Sequence, residues 1–281
     1  MVKTIIVIAI ALSFACFTFS KTVTSASLQE LSKSPLKLYH SQSAFYLEKG
    51  FSASGYVYPA SELQGIETGK DYSFRMREDQ VFRDQVSRIE PVGLLMVLWK
   101  ELTALRNKPN DALWVSANGF VYDVTHLPLW ANGRHRNLHQ VGEELTYQLM
   151  KRSPHGAKIL EKAVVIGILG FEWDDLAGMN GKQYTFQMVS IEAIVYDVTQ
   201  LNRWRGGNHM GQHKSGEELT YQLLRRAPHS LTLLSRGFSV GILVCKNDEI
   251  KIVLKKDTAY ELVQETIYDK RIQKSICRII E

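Results

Sequence analysis

The residues best suited to chemistry in this chain are its histidines. Of the eight, six form three pairs whose members stand 74 positions apart: His135 and His209, His139 and His213, His155 and His229. Imidazole presents a neutral nitrogen lone pair near neutral pH and is the commonest protein ligand for metals. Two chemistries suit such a set. A six-coordinate iron porphyrin takes one imidazole on each face of its ring. An open zinc site takes three protein ligands, and His135, His139 and a third histidine sixteen residues later would supply them, the first two at the i, i+4 spacing of a helix. Glu143, Glu144, Glu217 and Glu218 would be the candidate general bases in that second case. His126 is matched by Gln200 and reads as a surface residue, and His40 stands apart from the pairs.

The histidines belong to a repeat. Val-Tyr-Asp-Val-Thr at 121–125 recurs at 195–199, and Gly-Glu-Glu-Leu-Thr-Tyr-Gln-Leu at 142–149 recurs unchanged at 216–223. Trp130, Gly133, Pro154 and Gly167 return as Trp204, Gly207, Pro228 and Gly241 at the same offset. A fixed period without insertion marks two copies of one module. Between the shared histidines the sequence drifts (Arg134/Asn208, Arg136/Met210, Leu138/Gln212), so the histidines are retained where their neighbours are not. Two recent copies also share residues for no functional reason, and that is the blander reading of the same fact.

A fainter copy precedes them. Gly-Tyr-Val-Tyr at 55–58 is similar to Gly-Phe-Val-Tyr at 119–122, and Gly-Lys-Asp-Tyr-Ser-Phe at 69–74 to Gly-Glu-Glu-Leu-Thr-Tyr at 142–147. Pro-Val-Gly-Leu-Leu at 91–95 matches Val-Ile-Gly-Ile-Leu at 165–169. This copy is shorter after Tyr58 and lacks the Trp and all three histidines, so it reads as degenerate. The expected organisation is a leader at 1–26, a degenerate module at 27–98, full modules at 99–171 and 172–245, and a tail at 246–281.

Several elements must position the histidines. Residues 112–124 read as two β runs about Asn118-Gly119, a strong hairpin signal. Tyr122 and Tyr196 fall in strands as core residues. Residues 216–224 read as a helix with Ser215 and Glu218 spaced as a capping box, Leu219 and Leu223 on one face and the glutamates on the solvated one. Pro228 ends it directly before His229. Residues 164–169 read as a closing strand. Each copy is thus a compact α+β unit of strands, a helical hairpin and a strand.

Such a helical hairpin places one imidazole at its mouth and another on its far wall, with an apolar slot between. Leu145, Leu149, Met150, Ile159 and Leu160 would line it in one copy, and Leu219, Leu223, Leu224, Leu233 and Leu234 in the other. Arg134, Arg136, Arg203 and Arg205 would stand near the acidic edge of a macrocycle. Trp130 and Trp204 either touch that ring or pack the core.

The order Val-Tyr-Asp-Val-Thr, Trp-x-x-Gly-x-His, Gly-Glu-Glu-Leu-Thr, Pro-His resembles the cytochrome b5-like haem (or haem/steroid) binding domains, in a bacterial-type subgroup. The resemblance covers about 112–170 and 186–244, with an echo at about 53–96. It implies an α+β fold of tandem small domains and haem b held non-covalently, up to two per chain. The family's His-Pro-Gly-Gly is replaced by Trp-Ala-Asn-Gly-Arg-His at 130–135 and Trp-Arg-Gly-Gly-Asn-His at 204–209. The family's second ligand falls on His155 and His229. Its first falls on His135/His209 or His139/His213, with the former slightly the better match. Absence of Cys-x-x-Cys-His excludes covalent attachment of the c type.

The chain-wide numbers agree with folded protein: 45 % hydrophobic and 22 % charged residues, with a formal charge of +5. That charge favours an acidic partner or anionic lipid and, with no recognition motif, gives no case for nucleic acid. At the start, Lys3, an apolar run at 4–19, Lys21 and small residues to Ala26 have the layout of an export signal, or of an uncleaved anchor. One disulfide between Cys245 and Cys277 is conceivable in an exported protein. In the tail, 250–255 alternates like a strand and 259–280 has helical character, fit to cap the last module or bind a partner.

The expected function is one-electron transfer outside the cytoplasm between unidentified donor and acceptor proteins, with possible attachment to a membrane through the leader. No nucleophile–base set, phosphate loop or flavin motif stands beside the histidines, so no catalytic activity is expected. A haem, steroid or small-ligand carrier or sensor without redox work is the alternative.

Overall fold

The structure, a computed structural model, describes residues 27–107, 112–154, 156–225, 237–245 and 276–281. The leader, His155, His229, Leu233, Leu234 and the tail readings at 250–255 and 259–275 lie outside the described residues.

After a short helix, Leu28–Lys33, the chain enters β1 (Lys37–His40). A first unit then supplies the hairpin β2 (Gly50–Ala53) and β3 (Tyr56–Pro59) and a closing strand β4 (Gly93–Leu98). The second unit repeats this order with β5 (Trp114–Ala117) and β6 (Phe120–Asp123), adds a small hairpin of β7 (Arg134–His135) and β8 (His139–Gln140), and closes with β9 (Val164–Phe171). The third has β10 (Met188–Ile191), β11 (Ile194–Asp197), the small hairpin β12 (Asn208–His209) and β13 (His213–Lys214), and β14 (Phe238–Cys245). Near the C-terminus comes β15 (Arg278–Ile279), a strand where helical character was expected.

The turns explain the hairpins. A two-residue turn matched to strand twist needs positive φ at both central residues. Asn118 and Gly119 adopt 52° and 83°, Ser54 and Gly55 52° and 84°. Glu192 and Ala193 take the same shape at 49° and 63°, where sequence gives no turn signal. In each unit the turn carbonyl then accepts from the closing strand: Leu95 N–H to Gly55 O, Leu169 to Gly119, Leu243 to Ala193.

Apart from the small hairpins β7–β8 and β12–β13, which are two-stranded sheets of their own, the strands of all three units belong to one 11-stranded sheet. Each closing strand pairs antiparallel with its own hairpin over its first half, as β6 does with β9 from Asp123↔Val164 to Phe120↔Ile168. Over its second half it pairs parallel with the closing strand of a neighbouring unit: Met96↔Ile168 to Leu98↔Gly170 joins β4 to β9, and Ile242↔Gly170 joins β14 to β9. Close approach at these seams needs glycine. A Cβ on Gly167 would lie 2.5 Å from the Leu95 carbonyl, and one on Gly241 2.6 Å from the Leu169 carbonyl.

The row of parallel strands closes on itself. β1 pairs parallel with β4 on one side, and β15 pairs parallel with β14 on the other. Leu38 and Ile280 bridge β1 to β15, with Glu281 N–H donating to Leu38 O at 2.9 Å. A Cys245–Cys277 disulfide ties β14 to the residue before β15. The Arg278 guanidinium donates to the carbonyls of Leu31, Ser32 and Leu36, and Lys37 pairs with Glu281 at 2.6 Å. Side chains alternate about this ring, as strand pleating requires. Leu38, Leu94, Met96, Ile168, Ile242 and Val244 share one buried cluster, while Tyr39, Leu95, Val97, Leu169, Phe171 and Leu243 share another. Among the described residues no helix is long and apolar enough to cross a membrane.

Candidate functional site

In the second unit His135 and His139 are the facing pair of the small hairpin β7–β8. Their spacing is therefore that of a hairpin tip and not of a helix. Arg136 and Asn137 turn the tip at φ 50° and 58°. The two imidazoles lie within 13° of parallel with centroids 6.4 Å apart, and His135 also lies against the Trp130 indole at 5.3 Å. In the third unit His209 faces His213 in the same way, 6.5 Å apart and 12° from parallel, and Trp204 lies 4.9 Å from His209. The second and third units thus carry the same Trp-His-His stack.

Apolar side chains back each stack. Trp130 is buried in one cluster with Leu145, against which Leu149 and Leu160 pack. Trp204 is buried with Leu219, against which Leu223 packs. Ile159 is half-buried. Met150 is exposed, as are Leu129, Leu138 and Met210 beside the stacks, and Arg134, Arg136, Arg203 and Arg205 reach solvent. The structure therefore brings each expected Trp together with its leucines and leaves an uncovered apolar margin with cations nearby.

The helices differ from expectation. In the third unit the helix spans Thr220–Arg225, four residues after Gly216. Gly216 takes φ 91°, and a Cβ there would meet the Ala177 carbonyl at 2.9 Å. In the second unit the matching turn is a π-helix, Gln148–Arg152, followed by the 3-10 stretch Gly156–Lys162. The capping box is absent: the Ser215 hydroxyl instead donates to Gly207 O, and Glu218 turns inward.

Glu144 and Glu218 are buried, at 2 % and 3 % exposure, and not on a solvated face. The Glu144 carboxylate accepts from the Thr146 N–H at 2.9 Å and from the Thr146 hydroxyl, whose oxygen accepts from the Asn118 N–H at the hairpin turn. Glu218, Thr220 and Glu192 repeat this network, and Asp71, Ser73 and Ser54 make its counterpart in the first unit. Burial pushes the Glu144 carboxyl up to about 8, against the opposing pull of Thr146, with the nearby Asp197 adding to the rise. An acidic residue two before a Ser or Thr, in every copy, was the signal available for this pin. It stitches loop to hairpin and rules Glu144 and Glu218 out as bases for bound water.

Glu143 has a different position. Its Oε2 lies 3.2 Å from His139 Nδ1, both side chains about a quarter exposed. The third unit does not repeat this, for the Glu217 carboxylate accepts from the Lys214 N–H at 2.9 Å. Among the described residues no three His, Cys, Asp or Glu side chains converge as a metal site. The three-histidine zinc set therefore depends on His155 or His229, outside the described residues. A separate cleft of about 280 Å³, lined by Ser54, Ser73, Met76, Arg77 and Arg83 of the first unit and Glu161, Ala163, Val164 and Val165 of the second, contains none of the expected site residues.

No protein-family model and no curated protein matches the chain. Among solved structures, a cytochrome b5 domain protein from Hadesarchaea is 38 % identical over 26 % of this chain and 96 % of its own length, with a TM-score of 0.25. A cytochrome b5 domain protein from Methanococcoides burtonii is 35 % identical over 26 % of this chain and 95 % of its own, also with a TM-score of 0.25.

Proposed function

We propose that the second and third units are cytochrome b5-like domains that each bind one b-type haem through paired histidines for one-electron transfer outside the cytoplasm. The observation that carries this reading is the Trp-His-His stack, present in both units with matching geometry and backed by an apolar cluster. The donor set fits. A carboxylate on His139 Nδ1 selects the tautomer with its proton there and leaves Nε2 as a lone-pair donor. This favours His139, and by position His213, as first ligand, with His135 and His209 as the wall between that ligand and the Trp. His155 and His229 would supply the opposite face.

When bound, haem supplies reversible one-electron chemistry at iron. The chain's own residues do the rest. Leu145, Leu149, Leu219 and Leu223 bury the ring and exclude water, and the exposed arginines beside each stack match its acidic edge. The Cys245–Cys277 disulfide favours an oxidising compartment, in keeping with the export layout of 1–26. The partners would be a donor and an acceptor protein that dock on the uncovered margins at Leu138 and Met210.

The test is the visible spectrum of the full chain with added haem, oxidised and reduced, with iron and zinc quantified. Split low-spin bands at about two haems per chain are expected by the bis-histidine count, with half the signal lost in His155→Ala. Bound zinc or no chromophore would overturn the proposal, and an open coordination position with rapid haem exchange would turn it into carriage.

A further inference from the structure

The second and third units share an unbroken run of eight identical residues at 142–149 and 216–223, yet the first glutamate of that run does different things in the two. Glu143 bonds the His139 ring, while Glu217 bonds the backbone of Lys214. Just before the run, Gln140-Val141 is replaced by Lys214-Ser215. No hydrogen bond joins Glu217 to His213 among the described residues.

We infer that Glu143 is a positioning residue that makes the two haem sites unequal, holding the second unit at a lower reduction potential than the third. The inference rests on the haem reading above. A carboxylate that accepts the Nδ1 proton of a ligating imidazole fixes the ring's orientation and raises the basicity of Nε2. A more basic ligand stabilises ferric over ferrous iron and lowers the potential. His213 lacks this partner, so its site keeps the higher potential. At equilibrium a single electron is then favoured on the third unit over the second, and two nearly identical copies become an ordered pair. Each site takes up or gives one electron, and no bond between protein atoms forms or breaks.

The experiment is a spectroelectrochemical titration of the haem-loaded full chain, with the electrode as electron source. Two separate one-electron waves are expected. In His213→Ala only the lower one should remain. Glu143→Gln should move the lower wave towards the upper and narrow the gap, while Glu217→Gln should leave both in place. Glu143→Asp, which keeps the charge on a shorter arm, should restore part of the gap. Two bound haems that titrate as one wave, or a gap that Glu143→Gln leaves unchanged, would overturn the inference while leaving haem binding intact. Failure of the chain to bind haem at all would overturn the reading beneath it, and the spectrum separates those cases before any potential is measured.

Discussion

The first unit and the two that follow share a frame and differ in what fills it. All three have the hairpin, the closing strand and a carboxylate bonded to a hydroxyl that receives a turn N–H. Where the second unit has Leu145 and Leu149, the first has Tyr72 and Met76, and Met76 is fully enclosed while Leu149 is only half-buried. An added helix, Gln80–Val86, brings in Phe82, which packs on Tyr72 and, with Phe51 and Tyr58, completes an aromatic cluster. The frame is thus independent of the histidines. What the comparison teaches is that the carboxylate–hydroxyl pin serves folding, because it is kept where the candidate ligands are missing.

Emptying the first unit is the strongest way to probe this division. Phe82 is 1 % exposed, so Phe82→Ala should cost about 3–5 kcal/mol as a large-to-small core change. The denaturation midpoint should drop clearly, with haem stoichiometry at low temperature unchanged. A loss of haem in parallel would show that the first unit is part of the binding apparatus after all.

A second probe separates the carboxylates by their surroundings. Asp71 retains solvent contact, whereas Glu144 does not. With its folded value raised to about 8 from an ordinary 4.5, Glu144 binds its proton more tightly in the folded state. Its contribution is complete below about 4.5 and is lost as pH rises towards about 8. Denaturation of the haem-free chain should show stability falling across that window, and Glu144→Gln should flatten the profile. An unchanged slope would mean that the carboxylate finds solvent in solution. The smallest expected effect is at the ring closure: Lys37→Ala removes an exposed ion pair and should leave the midpoint unmoved within error, as surface pairs do.

Much of this arrangement was legible in the residues. The duplicated motifs located the hairpins and closing strands, because alternation and an Asn-Gly turn are local signals. Trp130 and Trp204 read as ring contacts or core packing, and each is buried in a cluster with a leucine expected to line the slot. Glu144 and Glu218 were misread, since a glutamate in a polar run looks solvated unless its hydroxyl partner two residues on is weighed. The hairpin placement of His135 and His139 was hidden because four-residue spacing suits a helix and a tight turn alike. The different bonds of Glu143 and Glu217 were invisible, for the residues around each glutamate within the run are the same. The joining of β15 to β1 depends on contacts between distant parts of the chain, which no local pattern encodes.

That last contact limits how such a molecule can change. A stack of repeats with free ends can lengthen by further duplication, each new copy seating on the last. Here the closing strands run round a circuit whose two ends meet at Leu38 and Ile280 and are fastened at Cys245–Cys277. A fourth copy would have to be spliced into a circumference already full, forcing every strand to re-tilt. The architecture fixes its own copy number, and any later divergence between units has to come from altering side chains in place.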